Sequence, residues 1–131
     1  MQTPTVFLYQ IPPKKLGQLR VIGTQMKLRL RVVKPEEFGL PLGVLTGAMP
    51  KQDETAAGEE TPFSDEMLVM AGLSPAQMDL FLNRLRRGKG TSVALKAVVT
   101  PTNETWNAYE LHRELTAEHE AMQRGERAHD K

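Results

Sequence analysis

The side chains best suited to chemistry in this 131-residue chain are its three histidines and several pairs of neighbouring carboxylates. His112 and His119 are seven residues apart, which on a helix separates them by about 10 Å along the axis. Zinc–nitrogen bonds are about 2 Å long, so these two histidines cannot share an ion without a further element. No HExxH motif occurs, and His129 lies near the end of the chain. The sequence therefore predicts no metal site.

Nucleophilic and acid–base catalysis also lack their usual sequence signals. The chain has no cysteine, no GxSxG elbow and no GxxxxGK[ST] or GxGxxG phosphate loop. The carboxylate pairs lie in loop-like stretches, whereas a catalytic carboxyl group needs partial burial to shift its pKa towards neutrality. We therefore expect no cofactor and no catalytic residue, and favour a non-enzymatic role while leaving an enzyme open.

Charge is divided strongly along the chain although the net charge is only +1. Residues 1–35 carry +7, residues 36–79 carry −8, residues 80–100 carry +5 and residues 101–131 carry −3. The basic blocks at 14–34 and 84–96 could form a nucleic-acid surface or simply solvate two faces of the protein. We favour the second interpretation and keep the first as the alternative.

The composition, 40% hydrophobic and 25% charged, is that of an ordinary globular domain. No apolar run approaches the roughly 20 residues of a membrane-spanning helix, and no secretory signal opens the chain. Together with the lack of cysteines, this predicts a cytoplasmic bacterial protein with no membrane partner. We expect one domain over residues 1–124 with a mobile acidic loop at 47–61, and a frayed charged tail at 125–131.

The first half of the chain has the pattern of strand, helix and strand. The run 5–9 is β-branched and aromatic, and residues 14–22 place apolar side chains on one helical side, with Gly23 as the expected cap. Residues 28–32 alternate leucine or valine with arginine, which is typical of a half-exposed strand. For residues 36–45, both a helical turn and an irregular segment remain open.

The second half repeats that order and adds a helix. The run 67–71 is apolar, and Ser74, Pro75 and Gln77 make a capping box for a helix that ends at Gly88. A strand over 93–99 follows, and residues 100–103 then supply capping side chains for a long helix that runs to about residue 123. This order favours an α+β, ferredoxin-like βαββαβ four-stranded sheet with an added long C-terminal helix. A mostly parallel, doubly wound α/β sheet is the alternative.

Three groups of residues are candidates for binding. Trp106, Tyr109 and Arg113 form an aromatic and basic stripe opposite the apolar face of the last helix, as in interface hot spots, unless Trp106 is core. Arg86, Arg87 and Lys89 beside two glycines could hold an anion, or simply end a helix. The run 6–11 resembles the first strand of an RNA recognition motif, but the third strand lacks the matching aromatic residues.

A set of residues across the second half carries a family resemblance: Met67–Met70, Gly72–Ser74, Phe81, Leu82, Leu85, Lys96–Thr100, Asn103, Trp106, Leu111, Glu114, Leu115, Glu118 and His119. With them the chain resembles, over about residues 67–122, a family of small bacterial proteins known only as a domain of unknown function. The resemblance implies no activity. It does suggest that Thr100, Asn103, Trp106, Glu114 and His119 share a surface, although Thr100 and Asn103 could simply cap a helix.

The leading functional hypothesis is a non-enzymatic binding or regulatory module that self-associates or binds another protein. Its contact would be the Trp106–Tyr109–Arg113 stripe or the strand carrying Arg29 and Arg31, because most soluble oligomers are symmetric. The alternative is a nucleic-acid-binding domain that uses the basic blocks 14–34 and 84–96.

Overall fold

The computed structural model describes residues 4–49, 62–88 and 90–129, with side chains to residue 122. The chain divides into two compact units. We call them the sheet unit (Met1–Pro35 and Ser64–Val99) and the helical unit (Glu36–Phe63 and Thr100–Lys131). The predicted mobile loop at 47–61 falls largely on residues 50–61, outside the described part, and the predicted frayed tail at 125–131 overlaps the end of the last helix.

Among the described residues, the sheet unit contains four strands and two helices: β1 Thr5–Tyr9, α1 Pro13–Met26, β2 Arg29–Val32, β3 Met67–Ala71, α3 Pro75–Arg87 and β4 Leu95–Val98. The strands β1 and β3 have the predicted bounds, and both are buried along their whole length. Helix α1 is longer than predicted. It passes through the buried Gly23, the expected cap, and ends at Lys27 in a left-handed conformation, φ 59°.

The sheet is mixed, with strand order β2-β1-β3-β4. Strands β1 and β2 are parallel neighbours, as are β3 and β4, while the central pair β1–β3 is antiparallel. The α+β class with four strands is therefore confirmed, but the ferredoxin-like order is not. In that order each β-α-β unit is split by a strand from the other unit, whereas here each helix connects two adjacent strands.

Both helices of the sheet unit cover the same face of the sheet. Leu19 of α1 and Phe81 of α3 join one buried cluster with Val6 and Leu8 of β1 and with Leu68 of β3. The antiparallel pairing of β1 with β3 at the centre distinguishes this mixed sheet from the mostly parallel, doubly wound alternative. The apolar runs of β1 and β3 are fully buried, which is why they lack alternation.

The start of α3 is built as the sequence predicts. The Ser74 hydroxyl accepts a hydrogen bond from the Gln77 amide at 3.1 Å, and the Gln77 side chain accepts one from the Ser74 amide at 2.8 Å. Pro75 takes the first helical position, where its missing N–H has no partner to lose. Of the predicted apolar stripe, Phe81 and Leu85 are buried, and Met78 and Leu82 pack against the same cluster.

In its described part, the helical unit contains two helices of very different length, α2 Leu42–Thr46 and α4 Ala108–His129. A short 3-10 turn, Pro35–Glu37, leads towards α2, so the segment 36–45 combines one turn with the start of a helix. Helix α4 begins at Ala108, so it does not follow directly on the predicted capping residues 100–103. Among the described residues, no helix has the length and apolar character needed to cross a membrane.

Candidate functional site

Two local caps explain why α4 starts at Ala108. The Thr100 amide donates to Asn103 Oδ1 at 2.8 Å, and the Asn103 amide donates to Thr100 Oγ1 at 3.2 Å. This reciprocal pair closes a turn over residues 101–105 instead of a helix. A second pair then caps α4, because Asn107 and Glu110 exchange the same kind of bonds, at 3.0 and 3.1 Å. Thr100 and Asn103 are thus occupied by a structural turn.

Backbone hydrogen bonds join the two segments of the helical unit. The amides of Leu42 and Gly43, at the start of α2, donate to the carbonyls of Trp106 and Glu104 at 2.8 and 2.7 Å. In return, the Ala108 amide donates to the carbonyl of Phe38 at 3.0 Å. Trp106 is therefore held by its backbone beside α2, with its side chain half-buried. It precedes α4, so it does not share a helical face with Tyr109.

An aromatic cluster lies beside these backbone hydrogen bonds. Phe38 and Phe63 stack with ring centroids 4.8 Å apart, and His112 stacks on Phe63 at 4.2 Å. Tyr109 meets both phenyl rings edge-on, at 6.0 and 6.2 Å, and is 6% exposed. These contacts fix the start of α4 against the segment around Phe38. Sequence reasoning missed this cluster because Phe38 and Phe63 lie outside any periodic run.

The remaining predicted binding residues of α4 differ from Tyr109 in their exposure. Arg113, Glu114 and His119 are exposed, whereas Tyr109 is buried. The structure therefore does not bring Trp106, Tyr109 and Arg113 together on one exposed face. Within the described residues, no group of three or more His, Asp or Glu side chains is arranged to hold a metal ion.

A second candidate region lies in the sheet unit, where the two basic sequence blocks meet. Arg86 and Arg87 are exposed at the end of α3, while Lys89 of the predicted anion site lies outside the described residues. Lys96 of β4 lies near Arg86. Partial burial lowers the pKa of Lys96 from its ordinary value, and the positive charge of Arg86 lowers it further. A bound anion near these two side chains would offset their mutual repulsion.

Lysines of α1 extend this basic region. The ammonium group of Lys15 pairs with Glu66 and donates to the carbonyl of Ser92 at 2.8 Å, which ties α1 to the segment after α3. A cavity of about 460 Å³ lies there, lined by Pro12, Lys14, Lys15, Gln18 and Gly90. At its other end α1 is joined to α3 by a hydrogen bond from Arg84 to Gln25. The blocks 14–34 and 84–96 are thus neighbours in the fold.

The charge division of the sequence follows the two units. The sheet unit has twelve basic and three acidic side chains, a net charge of +9. The helical unit has thirteen acidic and five basic side chains, a net charge of −8. The net charge of +1 therefore conceals two units of opposite sign.

Comparison with known proteins identifies one family. Residues 66–122 match the model of a family described as Domain of unknown function (DUF3783). This match confirms the resemblance predicted over residues 67–122, and it covers β3, α3, β4 and the first part of α4. Neither curated proteins nor solved structures give a match.

Proposed function

We propose that this chain is a non-enzymatic binding module, and that the basic surface of its sheet unit binds a polyanion, with nucleic acid as the partner. By basic surface we mean the exposed cationic side chains of α1, the end of α3 and β4: Lys14, Arg20, Arg86, Arg87 and Lys96. The observation that carries this proposal is the net charge of +9 on the sheet unit. We place this activity in the cytoplasm, as the cysteine-free sequence predicts.

The exposed arginine side chains at the end of α3 support contact with phosphates. Within the described residues, Lys15 pairs with Glu66, but Arg86 and Arg87 form no ion pair with an acidic side chain. A phosphate chain would supply the missing counter-charge and relieve the repulsion between Arg86 and Lys96. Arginine in particular suits this role, since its planar group can bind phosphate in a bidentate manner.

Base stacking contributes little to this proposal. The aromatic residues of β1, Phe7 and Tyr9, are buried, and β3 carries none. Of the other aromatic rings described, none is exposed, since Phe63 and Trp106 are half-buried. The partial likeness of β1 to an RNA recognition motif therefore does not extend to an open stacking surface. The contacts would be made with the phosphate backbone, without strong sequence preference.

The test is the salt dependence of oligonucleotide binding, measured by fluorescence anisotropy on labelled single-stranded and double-stranded probes. The affinity should fall steeply as salt rises, because each phosphate contact releases a counterion. In R86Q/R87Q, the slope of log K against log salt should be smaller by about 2, or about 1 per lost contact.

Arg113→Gln is the matched control, since Arg113 is an exposed arginine of the acidic helical unit. Its slope should equal that of the wild type. A wild-type protein that binds neither probe at low salt, or an R86Q/R87Q variant with an unchanged slope, would refute the polyanion proposal.

Self-association is a second candidate, supported by the position of β2 at the end of the strand order. Among the described strands β2 pairs with β1 alone, and its exposed residues include Arg29 and Val32, the latter 43% exposed. An unpaired strand edge is a ready template for another strand. The other predicted contact is the Trp106–Tyr109–Arg113 stripe. Because the ring of Tyr109 is buried, a partner would contact Trp106 and Arg113 alone in this stripe.

Light scattering gives the solution mass of the wild type, Val32→Lys and Val98→Lys, and so distinguishes the edge at β2 from the edge at β4. We expect a wild-type oligomer that dissociates in Val32→Lys, because a lysine on the edge opposes strand pairing. Val98 lies on the other edge strand, β4, and is 37% exposed, so Val98→Lys should leave the mass unchanged. A monomeric wild type at the highest attainable concentration would exclude self-association through this strand.

A further inference from the structure

The described elements follow the same order twice along the chain. The series β1, α1, β2, a turn and α2 is followed by β3, α3, β4, a turn and α4. Pro13, the first residue of α1, and Pro75, the first residue of α3, are 62 positions apart. Leu42, the first residue of α2, and Ala108, the first of α4, are 66 apart. We call residues 4–49 the first copy and residues 66–129 the second copy.

Backbone details recur at the same spacings. Gln10 and Gly72, 62 positions apart, both take a left-handed conformation directly after a strand, with φ of 56° and 78°. Three backbone hydrogen bonds of the first copy also have counterparts in the second. The bond from Val33 N to Leu8 O corresponds to that from Val99 N to Met70 O, and the bond from Leu40 N to Glu37 O corresponds to that from Trp106 N to Asn103 O. The bond from Leu45 N to Pro41 O corresponds to that from Leu111 N to Asn107 O. These matches extend the correspondence from the elements to the turns.

The central strands meet as a symmetric pair. Phe7 lies opposite Val69, and these two positions correspond to each other at the spacing of 62. On either side the register runs symmetrically, with Thr5 opposite Ala71 and Tyr9 opposite Met67. A pairing in which corresponding residues face each other across one point is the arrangement of a two-fold, isologous interface.

We infer that the chain is two copies of one β-α-β-turn-helix unit, and that the inner edge of β3 recognises a second copy of that unit. Within this chain, β1 of the first copy is the strand that pairs with this edge of β3. The edge of β3 that faces β1 therefore accepts a strand of the same kind in antiparallel register, centred on Val69. This inference does not depend on polyanion binding.

A cysteine at the centre of the register gives a direct test, because the chain contains no cysteine of its own. A protease site is placed within residues 50–61 of the full chain, the folded protein is cut, and its two fragments are unfolded and refolded together with an oxidant. In Val69→Cys, a second-copy fragment that pairs with its own kind places Cys opposite Cys. Directly opposite residues of antiparallel strands have Cα atoms about 4.5–5.5 Å apart, within reach of a disulfide.

Met67→Cys is the matched control. In the same pairing Met67 faces the position of Ala71, so two Met67→Cys fragments do not bring their thiols together. On a non-reducing gel, we expect the disulfide-linked dimer of the second-copy fragment to be at least about tenfold more abundant in Val69→Cys than in Met67→Cys.

The double variant F7C/V69C shows whether the fragments refold. Phe7 and Val69 are opposite in the intact structure, so this variant should link the first-copy fragment to the second-copy fragment. If it does so while Val69→Cys gives no more second-copy dimer than Met67→Cys, β3 does not recognise a second copy. If F7C/V69C also fails to cross-link, the two edges do not recognise each other as independent units, and the inference is equally overturned.

Discussion

The two copies follow one backbone course with largely different residues. At the spacings of 62 and 66, residues 5–26 and 29–46 correspond to 67–88 and 95–112. Five of these pairs are identical: Pro13 and Pro75, Val32 and Val98, Val33 and Val99, Pro35 and Pro101, Leu45 and Leu111. Burial and turn geometry, rather than residue identity, therefore maintain the common course. The copies diverge at their ends, since α2 has 5 residues and α4 has 22.

Substitutions at the centres of α1 and α3 should lower the free energy of unfolding by similar amounts, because Leu19 and Phe81 correspond and both are fully buried. We expect Phe81→Ala to lower the free energy of unfolding by about 3–5 kcal/mol, and Leu19→Ala by about 2–5 kcal/mol. Urea unfolding followed by circular dichroism measures both. If either variant lost less than about 1 kcal/mol, the two helices would not be equivalent parts of one core.

Substitutions at the N-cap positions of α1 and α3 should change the free energy of unfolding in different ways. Ser74 caps α3 through its side chain, whereas Pro12, at the corresponding position of α1, makes no such bond. Ser74→Ala should lower the free energy of unfolding by about 1 kcal/mol. Pro12→Ala removes no cap bond, so it should cost only the roughly 0.4–1 kcal/mol that a proline contributes by restricting the unfolded chain. A Ser74→Ala variant as stable as the wild type would show that the capping box does not distinguish the copies.

Local signals predicted the elements of the sheet unit well, but they did not predict which strands are neighbours. The apolar runs of β1 and β3 and the capping box at Ser74 each act over a few residues, so they are visible in the sequence. A ferredoxin-like sheet has the same element order as this one. The two differ only in whether each crossover reaches the adjacent strand or passes over one, and no local pattern records that choice.

The candidate sites show the same limit. Thr100 and Asn103 were predicted as possible caps, and they do cap one another, but around a turn that ends before α4. Phe38 and Phe63 meet Tyr109 from loop segments without periodicity, so the burial of Tyr109 could not be foreseen from the helix alone. The division of charge was visible in sequence, but its coincidence with two structural units required the fold.

That division has a consequence for handling the protein. A net charge of +1 and an isoelectric point near 8.0 describe a nearly neutral particle that an ion exchanger would hold weakly at neutral pH. A resin, however, samples surface regions rather than the total. At low ionic strength the unit of +9 offers a cation exchanger a dense region of charge, and the unit of −8 offers one to an anion exchanger. The chain should therefore adhere to both resins and elute from each with salt.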